Sequence, residues 1–387
     1  MRILYASERP PYPFFLGGAA RCAHQLLHKL AVEPDVQCAA VGSSEYAVTP
    51  WTFPAPAEHD ALGVKSAHSD GQAGEVDCGY PVQVFPRFLD ELNEFIDTFK
   101  PDVVWAQLEG AQQVLELARD KGVQGLYYVH DAEFDPAELK AIAQLGCHVV
   151  CGSGFLADKA RRAIGRPTHV VYPAAELYFD TVGDPDGYVT MINPHRVKGV
   201  ETFFEIAKRL PSERFLLLES WKLNDEALAD LEQKLAQVPN VRFMRRTSDM
   251  RAVYRQTKLL LVPSVWEEGF GMVAVEAQSC RIPVIASARG GLPESVGDGG
   301  MLIKDYRNPE VWIKAIQGVL SDPVSYQNYA NRAYRHASSG NFSSSDGARR
   351  LMAVCGSKVR LPNVLSRSMY AARERVGRLP VLGRWFR

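Results

Sequence analysis

The chain has 387 residues, 46% of them apolar and 23% charged, and its formal net charge is −1. This length exceeds the size at which one hydrophobic core keeps growing, so it predicts two domains. The near-neutral charge excludes a global nucleic-acid signature, and no apolar run approaches the ~20 residues of a membrane span. Seven scattered cysteines favour reduced thiols, and the opening strand leaves no room for a signal peptide, so we expect a cytoplasmic protein.

Strand-like runs alternate with helical patterns in the first half of the chain, which is typical of a parallel α/β sheet. Predicted strands are Ile3–Ser7, Val36–Val41, Val103–Ala106, Leu126–His130, His148–Gly152 and His169–Tyr172. Predicted helices are Ala19–Ala31, Arg87–Phe99, Ala111–Lys121 and Phe155–Ile164. Residues 43–84 are rich in Gly, Pro, Ala and His, and we interpret them as a long irregular excursion, a kind of segment that is usually functional or mobile in a compact domain.

Residues 173–186 end in turn-forming residues and predict an interdomain linker. Further strands are predicted at Tyr188–Ile192, Phe215–Leu218, Val241–Met244 and Lys258–Val262. Further helices are predicted at Val200–Leu210, Asn224–Ala236 and Met272–Cys280, and near 309–320, 323–337 and 343–354. We therefore divide the chain into a first domain at 1–175, a second domain at 187–355 and a basic tail at 356–387.

The segment after the strand Lys258–Val262 carries the strongest functional signal. A turn with Gly269 and Gly271 leads into a helix whose N-terminus stays open to an anion. Glu268 precedes that open end, and Glu276 lies eight residues later, just over two helical turns along. Because like charges repel, these carboxylates suit sugar and ribose hydroxyls rather than phosphates. The combination predicts a clamp for a nucleotide-sugar, whereas each feature alone is more often a plain turn or a solvated helix face.

Glu268 and Glu276, with Gly269-Phe270-Gly271 after the first glutamate, resemble the E-x7-E motif of retaining glycosyltransferases with the GT-B fold. The resemblance is strongest to glycosyltransferase family 4, also called group 1, and the downstream Gly-Gly-Leu-Pro-Glu at 290–294 and Gly-Gly-Met-Leu-Ile at 299–303 share it. It implies an α/β GT-B architecture, with two Rossmann-like parallel-sheet domains facing across an interdomain cleft. It also implies metal-independent retaining transfer from a UDP- or GDP-linked sugar, with no other cofactor.

The resemblance also assigns roles to the motif residues. The donor site that it implies there comprises Glu268, Gly269, Phe270, Gly271, Met272, Val273 and Glu276. Glu268 would be a catalytic residue that orients the sugar and stabilises charge. Glu276 would bind the ribose hydroxyls.

A cationic contact to the donor phosphates is predicted at the start of the second domain. Lys198-Gly199 matches the Lys-Gly that the family uses for this purpose, although a lone surface lysine is usually solvated. The family places an arginine five residues before the lysine, and Asn193 stands there in this chain. Asn193 can donate a hydrogen bond without charge assistance, and either Arg196 or His195 is left to supply the second cation.

Two further donor-side and catalytic candidates lie in the first domain. Gly17 and Gly18 follow the first strand, where paired glycines let the backbone approach a phosphate at a helix start. A plain turn with a helix cap fits them equally well, but the family has a Gly-Gly loop here, opposite the donor diphosphate. His130-Asp131 ends a predicted strand and resembles the family's His-Asp/Glu pair. We predict a catalytic His130 on the sugar or acceptor side, although a strand-end histidine is more often structural.

Neither of two metal-like patterns predicts a metal site. Asp184-Pro-Asp186 matches the D-x-D of metal-dependent glycosyltransferases, but Asp-Pro-Asp-Gly is turn chemistry within the linker. Cys147, His148 and Cys151 lie in a buried-looking strand with no second Cys/His pair at metal spacing. We therefore expect no metal.

Three alternatives stay open beside glycosyl transfer: a nucleotide-sugar epimerase, a sugar phosphorylase and a degenerate binding protein. The expected partners are a nucleotide-sugar donor and a glycan, glycolipid or small-molecule acceptor, with no nucleic acid. The tail at 356–387 carries eight basic residues and one acidic residue among apolar ones, a local net charge of +7. This mixture suits peripheral contact with an anionic membrane at its cytoplasmic face, and a helix that crosses back onto the first domain is the competing interpretation.

Overall fold

The structure of the chain, a computed structural model, describes residues 1–15, 17–45, 65–67, 74–339 and 341–357. Within these residues the strands form two separate sheets, each with helices packed against both faces. The first sheet comes from the first half of the chain, and the second begins at Tyr188. The α/β class with two Rossmann-like sheets, predicted from the sequence, is confirmed.

The N-terminal sheet has nine strands among the described residues, in the order β3-β4-β5-β2-β1-β6-β7-β8-β9. They are β1 Arg2–Ser7, β2 Gln37–Ser43, β3 Lys65–Ala67, β4 Gly74–Asp77, β5 Pro81–Phe85, β6 Val103–Gln107, β7 Gln124–Val129, β8 His148–Cys151 and β9 His169–Val170. The helices are α1 Gly18–Ala31, α2 Phe88–Phe99, α3 Ala111–Asp120, α4 Pro136–Gln144 and α5 Gly154–Ile164. The middle of the central strand β1, residues 3–6, is apolar because both faces are covered: Ile3 and Tyr5 pack into one core cluster, Leu4 and Ala6 into the other.

The region 43–84 is more regular than its composition predicts. Strands β4 and β5 form an antiparallel pair joined through Gly79, which has φ +82°, and β3 pairs antiparallel with β4. Val82 and Val84 alternate into the core, a short period-2 pattern that the neighbouring Gly and Pro residues obscure in the sequence. The expectation of an irregular excursion is therefore wrong for these strands, and residues 46–64 and 68–73 lie outside the described part.

The C-terminal sheet is parallel, in the order β12-β11-β10-β13-β14-β15. Its strands are β10 Tyr188–Ile192, β11 Phe215–Leu218, β12 Val241–Met244, β13 Thr257–Val262, β14 Val284–Ser287 and β15 Gly300–Ile303. The following helices are α6 Val200–Arg209, α7 Asp225–Gln237, α8 Met250–Tyr254, α9 Met272–Ser279, α10 Leu292–Val296, α11 Pro309–Leu320, α12 Pro323–Ala337 and α13 Ser344–Cys355. The loops after the central pair, β10 and β13, are where ligands bind in such sheets.

The last described helix, α13, leaves the C-terminal domain and packs on the N-terminal one. Ala348, Leu351 and Val354 join the core cluster that contains Leu26 and Leu30 of α1. The sequence pattern placed this helix in the second domain at 187–355, whereas its buried face belongs to the first. A crossing helix thus ends before residue 358, and the basic tail beyond it lies outside the described residues.

No helix in the described ranges is long and apolar enough to cross a membrane.

Candidate active site

The loops that follow β7 and β13 meet between the two domains. His130 comes directly after β7, and the segment 268–271 follows β13. A Cβ placed on Gly269 would overlap the carbonyl oxygen of His130, so the backbones of the two domains touch at this point. The contact brings the two predicted catalytic residues, His130 and Glu268, to facing walls of one interdomain cleft.

Lys198 and Glu268 form an ion pair inside this cleft. The lysine Nζ lies 2.7 Å from Oε1 and 2.8 Å from Oε2 of Glu268, and the Ser264 hydroxyl donates a further hydrogen bond to Oε1. The ammonium also lies 5.1 Å and 4.6 Å from the ring centroids of Trp221 and Trp266. Glu268 is 8% exposed, so the ion pair offsets part of the cost of burying its carboxylate. Lys198, which was predicted to bind the donor phosphates, and Glu268, which was predicted to bind the sugar, are therefore direct neighbours.

The position of Lys198 follows from a close approach of two loops. Lys198 ends a 3-10 turn, Arg196–Lys198, and Gly199 after it has φ +86°. A Cβ on Gly199 would overlap the carbonyl oxygen of Pro263, so only glycine fits here. The backbone N–H of Val265 donates to the carbonyl of Val197 at 2.9 Å and fixes the turn to the loop after β13.

Two uncapped helix N-termini converge across the cleft. Helix α1 begins after Gly17 and helix α9 after Gly271, and neither N-cap residue supplies a side-chain hydrogen bond. A Cβ on Gly18 would lie 3.0 Å from the terminal methyl carbon of Met272, so the two helix starts are close neighbours. Free N–H groups and the positive ends of two helix dipoles suit an anionic ligand such as a diphosphate. Gly18 therefore lies across the cleft from the start of α9, and a role for Gly17 and Gly18 in binding a donor stays a prediction.

The motif side chains divide into two groups. Phe270 is buried and packs its ring 5.2 Å from Tyr172 and 5.7 Å from Phe342, while Val273 packs against the core cluster beside β13. Their side chains therefore anchor the loop, and only their backbone N–H and carbonyl groups remain for a donor. The side chain of Glu268 instead lines the cleft with Lys198.

Glu276 lies in a cluster of acidic and phenolic groups behind the start of α9. Its Oε2 accepts a hydrogen bond of 2.9 Å from the Tyr254 hydroxyl, and Glu176 nearby accepts one of 2.7 Å from Tyr178. Burial raises the pKa of Glu276 to about 7, and the neighbouring Glu176 adds to this effect. The carboxylate therefore changes protonation near neutral pH.

His130 is held as a neutral imidazole. Its Nε2 lies 2.7 Å from Oε1 of Gln107, and its ring stacks on Tyr128 at 4.2 Å. Because an amide oxygen only accepts, Nε2 carries the proton and Nδ1 is left as an acceptor. Burial lowers the pKa of His130 to about 3. His130 is thus suited to hydrogen bonding at the reacting end of the cleft and not to carrying positive charge.

Asn193 serves the backbone at the end of β10. It has φ +73°, a conformation that asparagine tolerates better than most residues, and it is 6% exposed. Its backbone N–H donates to the carbonyl of Leu218, and its side-chain Oδ1 has no hydrogen-bond partner among the described residues.

The two residues left to supply a second cation lie on either side of the start of the 3-10 turn. Arg196 is exposed on this turn, and His195 packs its ring 5.5 Å from Trp221. His195 therefore contacts a ring of the Lys198 cluster, and burial lowers its pKa, which disfavours the charged imidazole.

Three residues of this region escaped the sequence-based prediction. Gln107 fixes His130, and Trp221 covers Lys198. Buried Glu219 accepts a hydrogen bond of 3.1 Å from the backbone N–H of Leu223 and forms an ion pair of 3.2 Å with Arg245 Nε. Gln107 and Glu219 share one signal: each is a polar residue that directly ends or follows a buried apolar strand. Such residues lie at the ligand-binding edge of a parallel sheet.

The two metal-like patterns serve structural purposes. Asp184 accepts a turn hydrogen bond of 3.0 Å from the backbone N–H of Asp186. Cys147 and Cys151 are buried free thiols, and His148 Nε2 lies 3.0 Å from the carbonyl oxygen of Ser357. Across the described part of the chain, no group of three or more His, Cys, Asp or Glu side chains is arranged to hold a metal ion.

Solved structures share this architecture over nearly the whole chain. A crystal structure of Anabaena Alr3699/HepE in complex with UDP-glucose superposes with a TM-score of 0.70, at 18% identity, over 91% of this chain and 98% of that one. Sucrose-phosphate synthase from Thermosynechococcus elongatus gives a TM-score of 0.71, at 18% identity, over 92% and 98%. Two facing parallel-sheet domains with this likeness define the GT-B fold.

The family comparison is more specific. Residues 188–336 match the model of the family described as "Glycosyl transferases group 1". A D-inositol 3-phosphate glycosyltransferase from Corynebacterium kroppenstedtii is 30% identical over 258 residues, which cover 62% of this chain and 52% of that protein. Residues 188–336 therefore form a group 1 glycosyltransferase domain, and the resemblance inferred from the E-x7-E segment is confirmed. The match spans about half the length of that relative.

Proposed function

We propose that this chain is a metal-independent glycosyltransferase that moves a sugar from a nucleotide-sugar donor to an acceptor hydroxyl with retention of anomeric configuration. The proposal rests on one observation above all. The Lys198–Glu268 pair lies beside the start of α9 and across the cleft from His130. A cation, an open helix N-terminus and a carboxylate thus meet where a nucleotide-diphosphate leaving group and its sugar would separate.

Charge stabilisation of the leaving diphosphate is the main chemical requirement of such a transfer. Lys198 would bind the phosphates as a point charge, and the N–H groups at the starts of α1 and α9 would bind their remaining oxygens. When phosphate oxygens replace part of the contact with Lys198, Glu268 becomes free to bind sugar hydroxyls and to stabilise positive charge on the sugar. Glu276 would accept hydrogen bonds from the ribose, just over one turn along α9.

The donor proposed is UDP- or GDP-linked. The likeness to a protein crystallised with UDP-glucose favours a UDP-sugar, and a hexose is the simplest choice. The acceptor proposed is a glycan, a glycolipid or a small molecule bound on the N-terminal wall near His130. We also propose that the protein works at the cytoplasmic face of the membrane, with the basic residues at 356–387 as a peripheral contact.

The donor is tested by thermal unfolding with UDP, GDP, ADP and dTDP. A nucleotide at 100 times its dissociation constant adds about 2.7 kcal/mol of stability, so the preferred base is identified by the largest shift. Stabilisation by none of the four would contradict the nucleotide site. An epimerase is separated from a transferase by product release, because only a transferase needs an acceptor to release the nucleotide. Conversion of the nucleotide-sugar to its epimer without any acceptor, and with no release of free nucleotide, would favour the rival chemistry.

A further inference from the structure

The start of helix α5 in the N-terminal domain is docked onto the C-terminal domain by side chains outside the donor site. Ser153 is the N-cap of α5 and accepts a hydrogen bond of 3.1 Å from the backbone N–H of Leu156. The same hydroxyl donates at 2.6 Å to the carbonyl oxygen of Gly269, in the donor motif of the other domain. One serine therefore both caps a helix and bridges the cleft.

Glu294 occupies the rest of the same helix end. It lies on α10 of the C-terminal domain, and its Oε2 and Oε1 accept hydrogen bonds of 2.7 Å each from the backbone N–H groups of Gly154 and Phe155. These N–H groups have no partner within their own helix, and a carboxylate also complements the positive end of the helix dipole. The two bonds are charge-assisted, so they are stronger than neutral ones.

The glycine at the first position of α5 makes this approach possible. A Cβ on Gly154 would lie only 3.2 Å from Oε2 of Glu294, closer than nearly all real contacts of that kind. Lys159, one turn further along the helix, adds an ion pair of 3.0 Å with Glu267, but both side chains are more than a third exposed. That outer pair is screened by solvent and contributes little, so Ser153 and Glu294 carry the docking.

The segment 290–294, which contains Glu294, also packs against the donor motif. The backbone N–H of Gly291 donates to the carbonyl of Glu268 at 2.7 Å, and a Cβ on Gly291 would overlap the carbonyl of Gly269. The segments 268–271 and 290–294 thus form one packed unit. Because Glu294 binds this unit to the start of α5, it also helps to hold Gly269 against the backbone of His130.

We propose that Ser153 and Glu294 are positioning residues that hold the two domains in register, so that the donor motif faces His130. Their effect on catalysis rests on the function proposed above, whereas the docking itself does not. The residues act through the loop 268–271 and through His130, and they contact neither donor nor acceptor.

Hydrogen exchange measures the docking without any assay of activity. In Glu294→Ala, the amides of Gly154 and Phe155 lose their acceptor, so their exchange should become faster than in the wild type, and the loop at 268–271 should follow. Asp322→Ala is the matched control, because Asp322 accepts from the N–H groups of Val324 and Ser325 at the start of α12 within one domain. It should leave exchange at 154–155 unchanged. Unchanged exchange there in folded Glu294→Ala would overturn the docking.

Kinetics distinguish positioning from plain structural support. Glu294→Ala and Ser153→Ala should lower kcat by about tenfold or more, since small misplacements of reacting groups cost rate, while affinity for UDP stays near that of the wild type. Ser153→Thr keeps the hydroxyl and should restore most of the loss. An unchanged kcat in both alanine variants would refute the positioning role. A wild-type chain without transferase activity would instead refute the proposed function, and the exchange result would still decide the docking.

Discussion

At the scale of single residues, the central feature is a buried ion pair whose partners have different predicted roles. Lys198 and Glu268 neutralise each other, which would allow a carboxylate to lie beside the proposed phosphate site. Both carboxylate oxygens of Glu268 lie within hydrogen-bond distance of the ammonium of Lys198. A donor diphosphate would therefore bind a lysine that is already fixed in position, between the rings of Trp221 and Trp266.

Lys198→Met keeps an apolar stem against the two tryptophan rings and removes only the charge. We expect it to weaken binding of a UDP-sugar by about 1–3 kcal/mol, the range for hydrogen bonds to charged groups. Titration calorimetry at constant ionic strength measures the change. Lys208→Met is the control, because Lys208 pairs with Glu205 on the exposed face of α6. Equal affinities in the two variants would remove Lys198 from the phosphate site.

Glu276 predicts a dependence of stability on pH. Burial raises its pKa from 4.5 to about 7, so the folded protein holds this proton more tightly than the unfolded chain. The resulting stabilisation is complete below about pH 4.5 and is lost as the pH rises through about 7. Glu276→Gln cannot ionise, so relative to the wild type it should gain up to about 3 kcal/mol in free energy of unfolding between about pH 5 and pH 8. Denaturant unfolding at both pH values measures this, and parallel pH profiles would contradict the raised pKa.

At the scale of secondary-structure elements, glycines allow the loops of the two domains to stack. Gly269 touches the carbonyl of His130, and Gly290 and Gly291 lie directly against the backbone of residues 267–270. Close backbone packing therefore explains why glycine occupies these positions, whether or not they also contact a donor. The site depends on backbones that meet without side chains between them.

Gly269→Ala should separate the facing loops, because its Cβ would overlap the carbonyl oxygen of His130. We expect a lower Tm and a large loss of transferase activity. Gly318→Ala is a matched control within helix α11, where nothing lies within 4 Å of the added Cβ. Alanine there should stabilise the protein by about 0.5–1 kcal/mol through helix propensity alone, with unchanged activity. Full activity in Gly269→Ala would show that the two loops need not touch.

The elements predicted best from the sequence are those with strong apolar runs and clear ends. Central strands such as β1, β6 and β13 are buried on both faces, and each contains a run of four apolar residues, at 3–6, 103–106 and 259–262. Short elements were not predicted from the sequence: β4 and β5 lie among Gly and Pro residues, and α10 has only five residues. In the site, local motifs located Lys198, Glu268 and Glu276. Gln107 at a strand end and Glu294 in the segment 290–294 both stand out in the sequence, but the groups that they bind lie far along the chain, so no local pattern predicts those partners.

At the scale of the whole molecule, the chain ties its two domains together at separate places. Helix α13 returns from the C-terminal domain and inserts Leu351 and Val354 into the core beside α1. Gly347 lets this helix approach, because a Cβ there would lie 2.6 Å from a methyl carbon of Leu26. The N-terminal core is therefore completed by residues that lie more than 300 positions after α1 in the sequence.

Leu351→Ala should destabilise the N-terminal domain even though the residue follows the second domain in sequence. Leu351 is fully buried, and removing such a side chain typically costs about 2–5 kcal/mol. Denaturant unfolding measures the loss of stability, and native-state hydrogen exchange should locate it at residues around α1. Val324→Ala, at an exposed position of α12, should change stability little. Loss of protection confined to the C-terminal sheet would contradict the crossing packing.

Sugar transfer with retention is tested most directly by NMR of the products formed from a ¹³C-labelled α-linked UDP-hexose and a panel of hydroxyl acceptors. We predict acceptor-dependent release of UDP and an α-linked product, both formed without added metal and in the presence of a chelator. Glu268→Gln should reduce formation of both products together. A β-linked product, or turnover that requires a divalent cation, would contradict the proposed reaction.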